Sequence, residues 1–537
     1  MQQNLTTPDL FSLLLYFALL LGIGFYYSRK ERNSTDYFLA GKNAGWIAMG
    51  ASLFIASMSI DYLFGFTGST ENVFAGHFGW MAAFFILMLG WLFAPVYVKM
   101  GVFTTPEFLG RRYNRFVRDF STMFSLLGYV FTRISVLLYA GSMLLNSALG
   151  MDPAVSAFIL IACAGIYAVT GGLKAILHVD IFQSAVIVLG ALALTMWGLP
   201  GFTGLSAVTL TASQSLGTLE NLQAKPLLSG IGMMFGLPII GLWYWCTDQY
   251  IVQRILGGKN LNHIRSGAIL AGFLKLVPMM MLVFPGLIAF DFFNPPAQAP
   301  NAASLHAAGQ FLPAGIRGLV VASMLSALIS SLANSFTSSA TLFTMDLYRP
   351  ARPHSTEKEL VLIGRLATVA VILLGIIWVP FLRHIHSGGY LYLLIFQAVM
   401  SPPIAAVFVI GLLWTRANAT GAVWALVSGA MIALVRLIAD LFDAAAGVRI
   451  PILHEIADIH VLHFAALLFL ISGVVLIVVS VSTQVSPASP AATRDAHAIA
   501  GKSMGEANPM WTKLNIGFSI ALVLALIGLY GIPKILK

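Results

Sequence analysis

The sequence predicts an all-α integral membrane protein with fourteen transmembrane helices, and three observations support this fold class. The chain of 537 residues is 58% hydrophobic and only 9% charged, a composition that a water-exposed surface of this size does not tolerate. Apolar windows of about 20 residues, the length that crosses a hydrocarbon core, recur along the whole chain. No long polar segment separates them, so we expect residues 1–537 to form a single polytopic membrane domain.

The predicted spans, numbered 1 to 14 in chain order, are 9–28, 46–70, 78–100, 119–146, 152–172, 177–200, 227–250, 266–292, 316–346, 361–383, 389–414, 420–443, 461–483 and 514–534. The first ten residues of the chain contain no Lys or Arg, and span 1 is followed at once by Arg29, Lys30 and Arg32. This arrangement is the reverse of a cleavable signal peptide. We therefore expect span 1 to be retained, with both termini of the chain outside the cell.

The distribution of cationic residues agrees with this orientation. With the N-terminus outside, most of the 30 lysines and arginines, Arg254 among them, fall in cytoplasmic loops, as the positive-inside rule requires. The cations placed outside are Lys225, Arg383, Arg449, Lys534 and Lys537. The net charge of +9 is then a topology and anionic-lipid signal rather than a sign of nucleic-acid binding. We expect a multi-pass protein of the bacterial inner membrane or the plasma membrane, with the lipid bilayer around it and no obligatory protein partner.

Two enzyme motifs are present only in part. Residues 496–503, AHAIAGKS, end like a phosphate-binding loop, but Ala496 stands where that loop requires its first glycine. Residues 454–460, HEIADIH, begin like a helical zinc motif, but Asp458 occupies the position of the second histidine. The sequence therefore predicts that the protein is not an enzyme and moves a substance across the membrane.

Two of the spans carry helix-breaking patterns. The centre of span 2, residues 56–61, is small and polar and is bracketed by glycines, and span 7 contains Gly236, Pro238 and Gly241 ahead of Asp248. An interrupted helix that opens each of two five-helix units is typical of inverted-repeat secondary transporters, whose binding sites lie at the midplane beside the breaks. The alternative is that glycine and proline are simply more frequent in membrane helices than in soluble ones.

Ionisable side chains predicted at membrane depth are functional candidates because their burial there is costly. They are Asp61, Arg133, Asp180, Asp248, Lys275, Arg317, Arg365, Arg436 and Asp440. Arg436 and Asp440 are four residues apart and are expected to neutralise each other. Lys275 has no acidic residue within one helical turn to neutralise it, so it stays a functional candidate.

Span 9 places two hydroxyls, Ser330 and Ser331, in the middle of an apolar helix. Adjacent hydroxyls, together with carbonyls freed by an unwound neighbouring helix, supply the oxygen ligands that a hard monovalent cation prefers. Close helix packing through small residues is an equal alternative, because Ala327, Ser331 and Ser335 share one face at four-residue spacing.

Several strings of the sequence resemble the solute:sodium symporter family, specifically its sodium/glucose cotransporter branch. They are GASLF (50–54), TGGLKA with VDIFQ (170–183), LWYWCTDQYIVQR (242–254), ALISSLANSFTSSATLFTMDLY (327–348), GRL with WVPF (364–381) and SPPIAAVF (401–408). The resemblance covers about residues 30–430. It implies a LeuT-like inverted five-plus-five repeat core over residues 46–414, with peripheral helices in 1–45 and 415–537, and sodium as the coupled ion.

The resemblance also implies site residues. The sodium ligands are the carbonyls of Ile55, Met58 and Ala327 and the hydroxyls of Ser330 and Ser331, while Asp180 lies on the path by which the ion leaves. The residues implied for the solute site are Ser57, Tyr62, Tyr244, Trp245, Lys275 and Gln397. By this resemblance, Tyr244 closes the solute site from the cytoplasmic side. The glutamine that the family carries in span 11 aligns with Leu394 here, and Gln397, one turn further along the helix, is expected to replace it. The acid that the family carries in span 3 aligns near Gly79. This chain therefore lacks several of the side chains that hydrogen-bond the solute hydroxyls in the family.

The sequence thus predicts a sodium symporter that imports a small polar solute, a sugar or polyol, by alternating access. The resemblance implies no second sodium site, because the two positions at which two-ion members of the family carry hydroxyls are Ala333 and Asn334 in this sequence. The predicted stoichiometry is therefore one sodium per solute. Alternatives are a sodium symporter for an organic acid, amino acid or vitamin-like solute, a passive channel or uniporter, and a membrane sensor.

Overall fold

The computed structural model describes residues 5–29, 33–58, 81–198, 232–276, 312–382, 389–444, 451–483 and 509–535. Regular structure within these ranges is helical, apart from one isolated bridge between Ala44 and Gly258. In the same ranges, ten helices are long and apolar enough to cross a membrane. The all-α class and the multi-pass membrane character are confirmed, whereas the full count of fourteen helices and the inverted repeat stay predictions.

The described helices, in chain order, are α1 (Thr7–Ser28), α2 (Ser34–Leu39), α3 (Trp46–Ala56), α4 (Met81–Met100), α5 (Thr105–Arg112), α6 (Arg115–Leu149), α7 (Pro153–Gly198), α8 (232–247), α9 (Gln249–Leu256), α10 (261–276), α11 (Ile316–Ala351), α12 (Glu357–Leu382), α13 (Gly389–Leu413), α14 (Ala419–Ala444), α15 (Pro451–Asp458), α16 (Val461–Ser482) and α17 (Pro509–Ile535). Helices α4, α6, α8 and α11 each contain a wider π-helical turn. Such turns are frequent at functional sites.

Helix α11 lies at the centre of the protein. In its most apolar stretch 83% of the residues are buried, against 22% in α1. It packs along α7 and also contacts α1, α3 and α6. Because α11 carries the serine pair Ser330 and Ser331, these hydroxyls lie inside the helix bundle and not on its lipid-facing surface.

Helix α7 contains both span 5 and span 6, separated by a kink at Gly172. This residue has φ +48°, a left-handed conformation that glycine adopts without steric cost. A Cβ atom at this position would lie 2.4 Å from the carbonyl oxygen of Tyr37. Glycine is therefore needed here both for the backbone conformation and for the close approach of α2.

The predicted interruption of span 2 is found at its N-terminal edge. Helix α3 ends at Ala56, and Ser57 and Met58 follow it outside the helix. Ser57 closes the last turn with its own side chain, which donates to the Phe54 carbonyl at 2.8 Å. The rest of the predicted break, including Tyr62, lies outside the described residues.

The predicted interruption of span 7 at Gly236, Pro238 and Gly241 is wrong in position. Helix α8 continues through all three residues and ends at Thr247, and Asp248, with ψ 128°, forms the break before α9. Pro238 follows a π turn, at the start of an α-helical segment. The two glycines permit close packing, since a Cβ atom would lie 2.0 Å from the Leu462 carbonyl at Gly236 and 2.5 Å from the Phe85 ring at Gly241.

Candidate functional site

A buried polar cluster forms where α3, α7, α9 and α11 meet, and Asp180 of α7 is at its centre. One carboxylate oxygen of Asp180 accepts a hydrogen bond of 2.6 Å from the Ser330 hydroxyl, and the other accepts one from the Ser52 hydroxyl. All three side chains are completely buried. The predicted ion-path residue and one predicted sodium ligand are therefore in direct contact.

The two serines of α11 have different surroundings. Ser330 donates its proton to Asp180 and accepts a hydrogen bond of 3.1 Å from the Asn334 amide. The Ser331 hydroxyl is fully buried, lies beside the Tyr250 side chain and has no hydrogen bond of normal geometry within the described residues. A buried hydroxyl without such a bond is costly unless a ligand or water satisfies it.

The C-terminal end of α3 supplies backbone oxygens to the same region. The Ile55 carbonyl accepts the Met58 amide at 3.1 Å, and the Ala56 carbonyl accepts the Tyr250 hydroxyl at 3.1 Å. Each carbonyl has a second lone pair, and the C-terminal end of a helix carries partial negative charge. Together with Ala327, which is buried on α11 one turn before Ser331, these groups suit a cation with oxygen ligands.

Arg254 is a member of this cluster that the sequence interpretation placed wrongly. The positive-inside rule predicts a cytoplasmic loop charge at this position, but Arg254 lies on α9 with 1% exposure, and its Nε donates to the Ser52 hydroxyl at 3.0 Å. The contact between Arg254 and Ser52 could not be predicted from the sequence, because Arg254 lies close to a predicted span end and Ser52 lies about two hundred residues earlier. Arg254 is connected to the Asp180 carboxylate through the Ser52 hydroxyl.

The predicted solute residues are brought together only in part. The Lys275 ammonium group, fully buried on α10, donates a hydrogen bond to the Ser57 carbonyl at the end of α3. Gln397 is buried on α13, and no hydrogen bond in the described ranges joins it to Lys275 or Ser57. Tyr62, as noted, lies outside those ranges.

The aromatic pair of span 7 is placed next to this region. The Tyr244 ring lies 5.0 Å from the Trp245 ring and 6.3 Å from the Tyr250 ring. Trp245 is 1% exposed and stacks on Phe85 with a centroid distance of 5.7 Å. In this conformation Trp245 is a packing residue, while Tyr244 is half-buried.

A second buried cluster joins α6 to the break between α8 and α9. Arg133 Nη2 lies 3.2 Å from Asp248 Oδ2, and the Tyr129 hydroxyl donates to the other oxygen of the same carboxylate. The Arg133 guanidinium also lies over the rings of three tyrosines, Tyr129, Tyr244 and Tyr250. The sequence marks Arg133 and Asp248 as candidates, but their pairing across 115 residues is visible only in the structure.

A cavity of about 340 Å³ lies one helical turn from the Asp180 cluster. It is lined in part by Ala48, which precedes Ser52 by four residues on α3, and by Leu177, which precedes Asp180 by three residues on α7. Polar side chains form much of the remaining wall, including those of Asp36, Lys174 and His178. Lys174 and Asp36 form an ion pair with a separation of 3.5 Å.

Comparison with known proteins gives relatives that span nearly the whole chain. The sodium/mannose cotransporter of Bos taurus is 36% identical, over 90% of this chain and 87% of that protein. Sodium/glucose cotransporter 1 of Sus scrofa is 34% identical, over 89% and 79% of the two chains. Sodium/myo-inositol cotransporter 2 of Oryctolagus cuniculus is 33% identical, over 90% and 78%.

A solved structure shares the fold. It is the substrate-bound, outward-open state of a Na⁺-coupled sialic acid symporter, with a TM-score of 0.71 over 89% of this chain and 98% of that chain, at 18% identity. The family model of the sodium:solute symporter family matches residues 37–429, which include every candidate site residue described above. The resemblance read from the sequence motifs is confirmed, and this chain belongs to the sodium:solute symporter family.

Proposed function

We propose that the protein is a sodium-coupled symporter that imports a sugar or polyol by alternating access, with one sodium ion per solute. The observation that carries the proposal is the oxygen cluster of Ser330, Ser331 and the end of α3, buried beside the Asp180 carboxylate. Backbone carbonyls and hydroxyls are the ligands that a sodium ion prefers in a broken-helix transporter. The predicted ligands Ile55, Met58 and Ala327 complete this set.

The orientation of Ser330 favours cation binding. Because its proton is donated to Asp180, a lone pair of its oxygen is left for an ion on the other side. The Asp180 charge is then felt by the ion through a neutral ligand, which avoids bringing a carboxylate and its full desolvation cost into the first coordination shell. The adjacent cavity, lined by Ala48 and Leu177, supports the proposed role of Asp180 on the release path.

One sodium per solute is supported by the position of Asn334. Its amide NH₂ group donates to the Ser330 oxygen and lies within hydrogen-bonding reach of Asp180. An N–H donor directed at these oxygens occupies a place where a second cation would need another oxygen ligand. Ala333, the other position of the second site, carries no side-chain oxygen.

A sugar or polyol as the solute is supported by the relatives, which are named for mannose, glucose and myo-inositol. Lys275, Ser57 and Gln397 offer a donor, a hydroxyl and an amide for hydroxyl recognition, and Tyr244 supplies an apolar face. A site that recognises solute hydroxyls by hydrogen bonds discriminates strongly between solutes when its buried hydrogen-bond partners are present. With fewer such partners in this chain, we expect broader selectivity among hexoses and polyols.

The decisive experiment is tracer accumulation in proteoliposomes. Radiolabelled D-glucose, D-mannose and myo-inositol are each added with an inward sodium gradient, and again with potassium in place of sodium. Accumulation above equilibrium that disappears in potassium is the expected result. Uptake that only equilibrates indicates a channel or uniporter, and accumulation restricted to an added organic acid or amino acid contradicts the sugar assignment.

Cysteine labelling in intact cells tests the orientation. We propose that both termini lie outside the cell and that the inverted-repeat core spans residues 46–414, with peripheral helices on either side. Single cysteines introduced near each terminus, in a Cys163→Ser/Cys246→Ser background, are expected to react with a membrane-impermeant maleimide added to intact cells. Labelling of either terminus only after the cells are permeabilised contradicts this topology.

A further inference from the structure

We propose that Arg133 is a positioning residue that couples the sodium site to the solute site, because it contacts the break between α8 and α9 directly and the end of α3 through Tyr250. This inference rests on the symport function proposed above. Arg133 lies in the π turn Tyr129–Ile134 of α6 with 5% exposure. Its guanidinium group pairs with the break residue Asp248 and lies over the rings of Tyr129, Tyr244 and Tyr250. Three of these contacts, with Asp248, Tyr250 and Tyr244, lead to the helix breaks and the proposed solute gate.

The first contact fixes the break between α8 and α9. Asp248 is paired with Arg133 and accepts from the Tyr129 hydroxyl, and Tyr129 in turn accepts the backbone N–H of Tyr250 at 3.0 Å. Tyr129 and Arg133 are one helical turn apart, so one face of α6 holds both the carboxylate and the first turn of α9. A movement of α6 is therefore transmitted to the end of α8.

The second contact reaches the proposed sodium site. The Arg133 guanidinium lies 3.8 Å from the centre of the Tyr250 ring, and the Tyr250 hydroxyl donates to the carbonyl of Ala56, between Ile55 and Met58. The same ring lies 4.8 Å from the guanidinium of Arg254, which is bonded to Ser52. When an ion draws the carbonyls at the end of α3 together, the Tyr250 side chain must shift with the Ala56 carbonyl. This shift changes the contact between the Tyr250 ring and the Arg133 guanidinium.

The third contact reaches the proposed solute gate. The guanidinium lies 4.9 Å from the centre of the Tyr244 ring, and a planar guanidinium stacks on such rings where an ammonium does not. Nη1 of Arg133 is buried without a hydrogen-bond partner in the described part of the chain. A buried donor of this kind is costly, which favours any arrangement of the cluster in which Nη1 gains a hydrogen-bond acceptor.

The coupling can be measured as a ratio. In a coupled transporter, sodium raises the solute affinity by the same factor by which the solute raises the sodium affinity. A residue that only stabilises the fold does not enter this factor, whereas a residue that links the sites sets its size. The readout is therefore the solute Kd in potassium divided by the solute Kd in saturating sodium.

The test variant is Arg133→Lys, which keeps a positive charge beside Asp248 but removes the planar contacts with the tyrosine rings. The probe is whichever of tritiated D-glucose, D-mannose and myo-inositol the wild-type protein accumulates. We expect the affinity ratio to fall by about tenfold, within the usual range of coupling factors. The solute Kd in potassium is expected to change by less than about twofold. Without sodium there is no coupling between the two sites, so the loss of the contacts between Arg133 and the tyrosine rings leaves this Kd nearly unchanged.

The matched control is Arg112→Lys. Arg112 is also buried, lies 4.8 Å from the centre of the Tyr113 ring and bonds backbone carbonyls of 411–415, but it contacts neither helix break. Its affinity ratio is expected to stay at the wild-type value. If Arg133→Lys does not fold, Tyr250→Phe replaces it, because this change removes only the hydroxyl that reaches Ala56, and the same fall in the ratio is expected.

A folded Arg133→Lys protein with the wild-type ratio overturns the proposal. So does a parallel loss of solute affinity in sodium and in potassium, because that pattern marks a purely structural role. These outcomes are distinct from a failure of the symport function itself. In that case the wild-type protein shows no effect of sodium on the binding of any of the three probes.

Discussion

The Ser330 hydroxyl of α11 donates a hydrogen bond of 2.6 Å to the Asp180 carboxylate of α7, in the fully buried centre of the protein. This contact joins two helices that pack along much of their length. It also decides which way the Ser330 oxygen presents its lone pairs. An acid that appears in the sequence as an isolated buried charge thus serves to orient a neutral ligand.

Replacing Ser330 by Ala is expected to raise the sodium concentration for half-maximal transport. The substitution removes one oxygen ligand and leaves the helix volume nearly unchanged, so a loss of about 1–1.5 kcal/mol, or roughly tenfold in sodium concentration, is expected. Sodium titration of solute uptake in vesicles measures this shift.

The control for this variant is Ser339→Ala. Ser339 is equally buried on α11, but its hydroxyl donates to the Ser335 carbonyl and is not part of the cluster. Its sodium dependence is expected to match that of the wild type. An unchanged half-saturation in Ser330→Ala shows that the serine pair is a packing feature.

Asp180→Asn is expected to weaken sodium binding more than Ser330→Ala does. The amide removes the negative charge that balances both the ion and Arg254, so the Arg254 guanidinium is left as an uncompensated buried cation close to the site. We expect the half-saturating sodium concentration to rise by more than about tenfold, the equivalent of 1.4 kcal/mol.

The double variant Asp180→Asn/Arg254→Gln separates the two causes. If the repulsion from Arg254 is part of the effect, removing that charge restores part of the sodium affinity, and the two substitutions are not additive. Strict additivity means that the Arg254–Ser52–Asp180 connection carries no energetic coupling. Thermal unfolding in detergent checks that both proteins are folded.

Lys275→Ala is expected to reduce the solute affinity more than the sodium affinity. The ammonium is lost as a hydrogen-bond donor to the solute, and the Ser57 carbonyl loses its partner at the end of α3. We expect the KM for the solute to rise by about tenfold and the sodium half-saturation by less than about threefold. Lys259→Ala, an exposed lysine just before α10, is the control and is expected to behave as wild type. An equal loss of both affinities assigns Lys275 to the helix end and removes it from the solute site.

The all-α membrane class could be predicted from the sequence because apolar length alone determines it. The break at the end of α3 could also be predicted, since the helix ends at Ala56, where the small polar stretch 56–61 begins in the sequence. The break near α8 was misplaced for a physical reason. Gly236 and Gly241 permit close contact with Leu462 and Phe85, and glycines that serve packing look the same in a sequence as glycines that interrupt a helix.

Local sequence patterns predict contacts between side chains that are near in the chain, but not contacts between side chains that are far apart in it. Arg436 and Asp440, four residues apart, were predicted to pair and do so at 3.0 Å. Arg133 and Asp248, or Arg254 and Ser52, are separated by more than a hundred residues, and only the packing of the helices brings them together. Of the residues implied by the family resemblance, Ser330 contacts Asp180 and Lys275 contacts Ser57, while the roles of the whole set stay predictions.

Asp9→Ala is expected to destabilise the protein without changing its sodium dependence. Asp9 of α1 accepts the backbone N–H groups of Gly315 and Gly318 at 2.7 and 3.1 Å, and so caps the N-terminal end of α11. Loss of a buried charged cap costs about 2–3 kcal/mol, against about 1 kcal/mol for an exposed one. Asp152→Ala, which removes the exposed cap of α7, is the comparison. Equal melting temperatures of the two variants contradict the proposed role of Asp9.

The number of sodium ions moved per cycle is expected to be one. Asn334 directs its amide N–H groups at Ser330 and Asp180, and Ala333 provides no oxygen, so a second site lacks the ligands that a cation needs. One ion that moves down a potential of 100 mV supplies about 2.3 kcal/mol, half the electrical driving force available to a two-ion symporter.

Reversal-potential measurements in reconstituted vesicles count the ions directly. The solute gradient that just stops net flux is expected to scale with the first power of the sodium ratio. Asn334→Ser restores a hydroxyl at one position of the second site, and Ala333→Thr with Asn334→Ser restores both. We expect the double variant to move toward a second-power dependence, because Asp180 already lies beside position 334. A second-power dependence in the wild-type protein would mean that the Asn334 amide turns its oxygen toward an ion during the cycle, and that the stoichiometry proposed here is wrong.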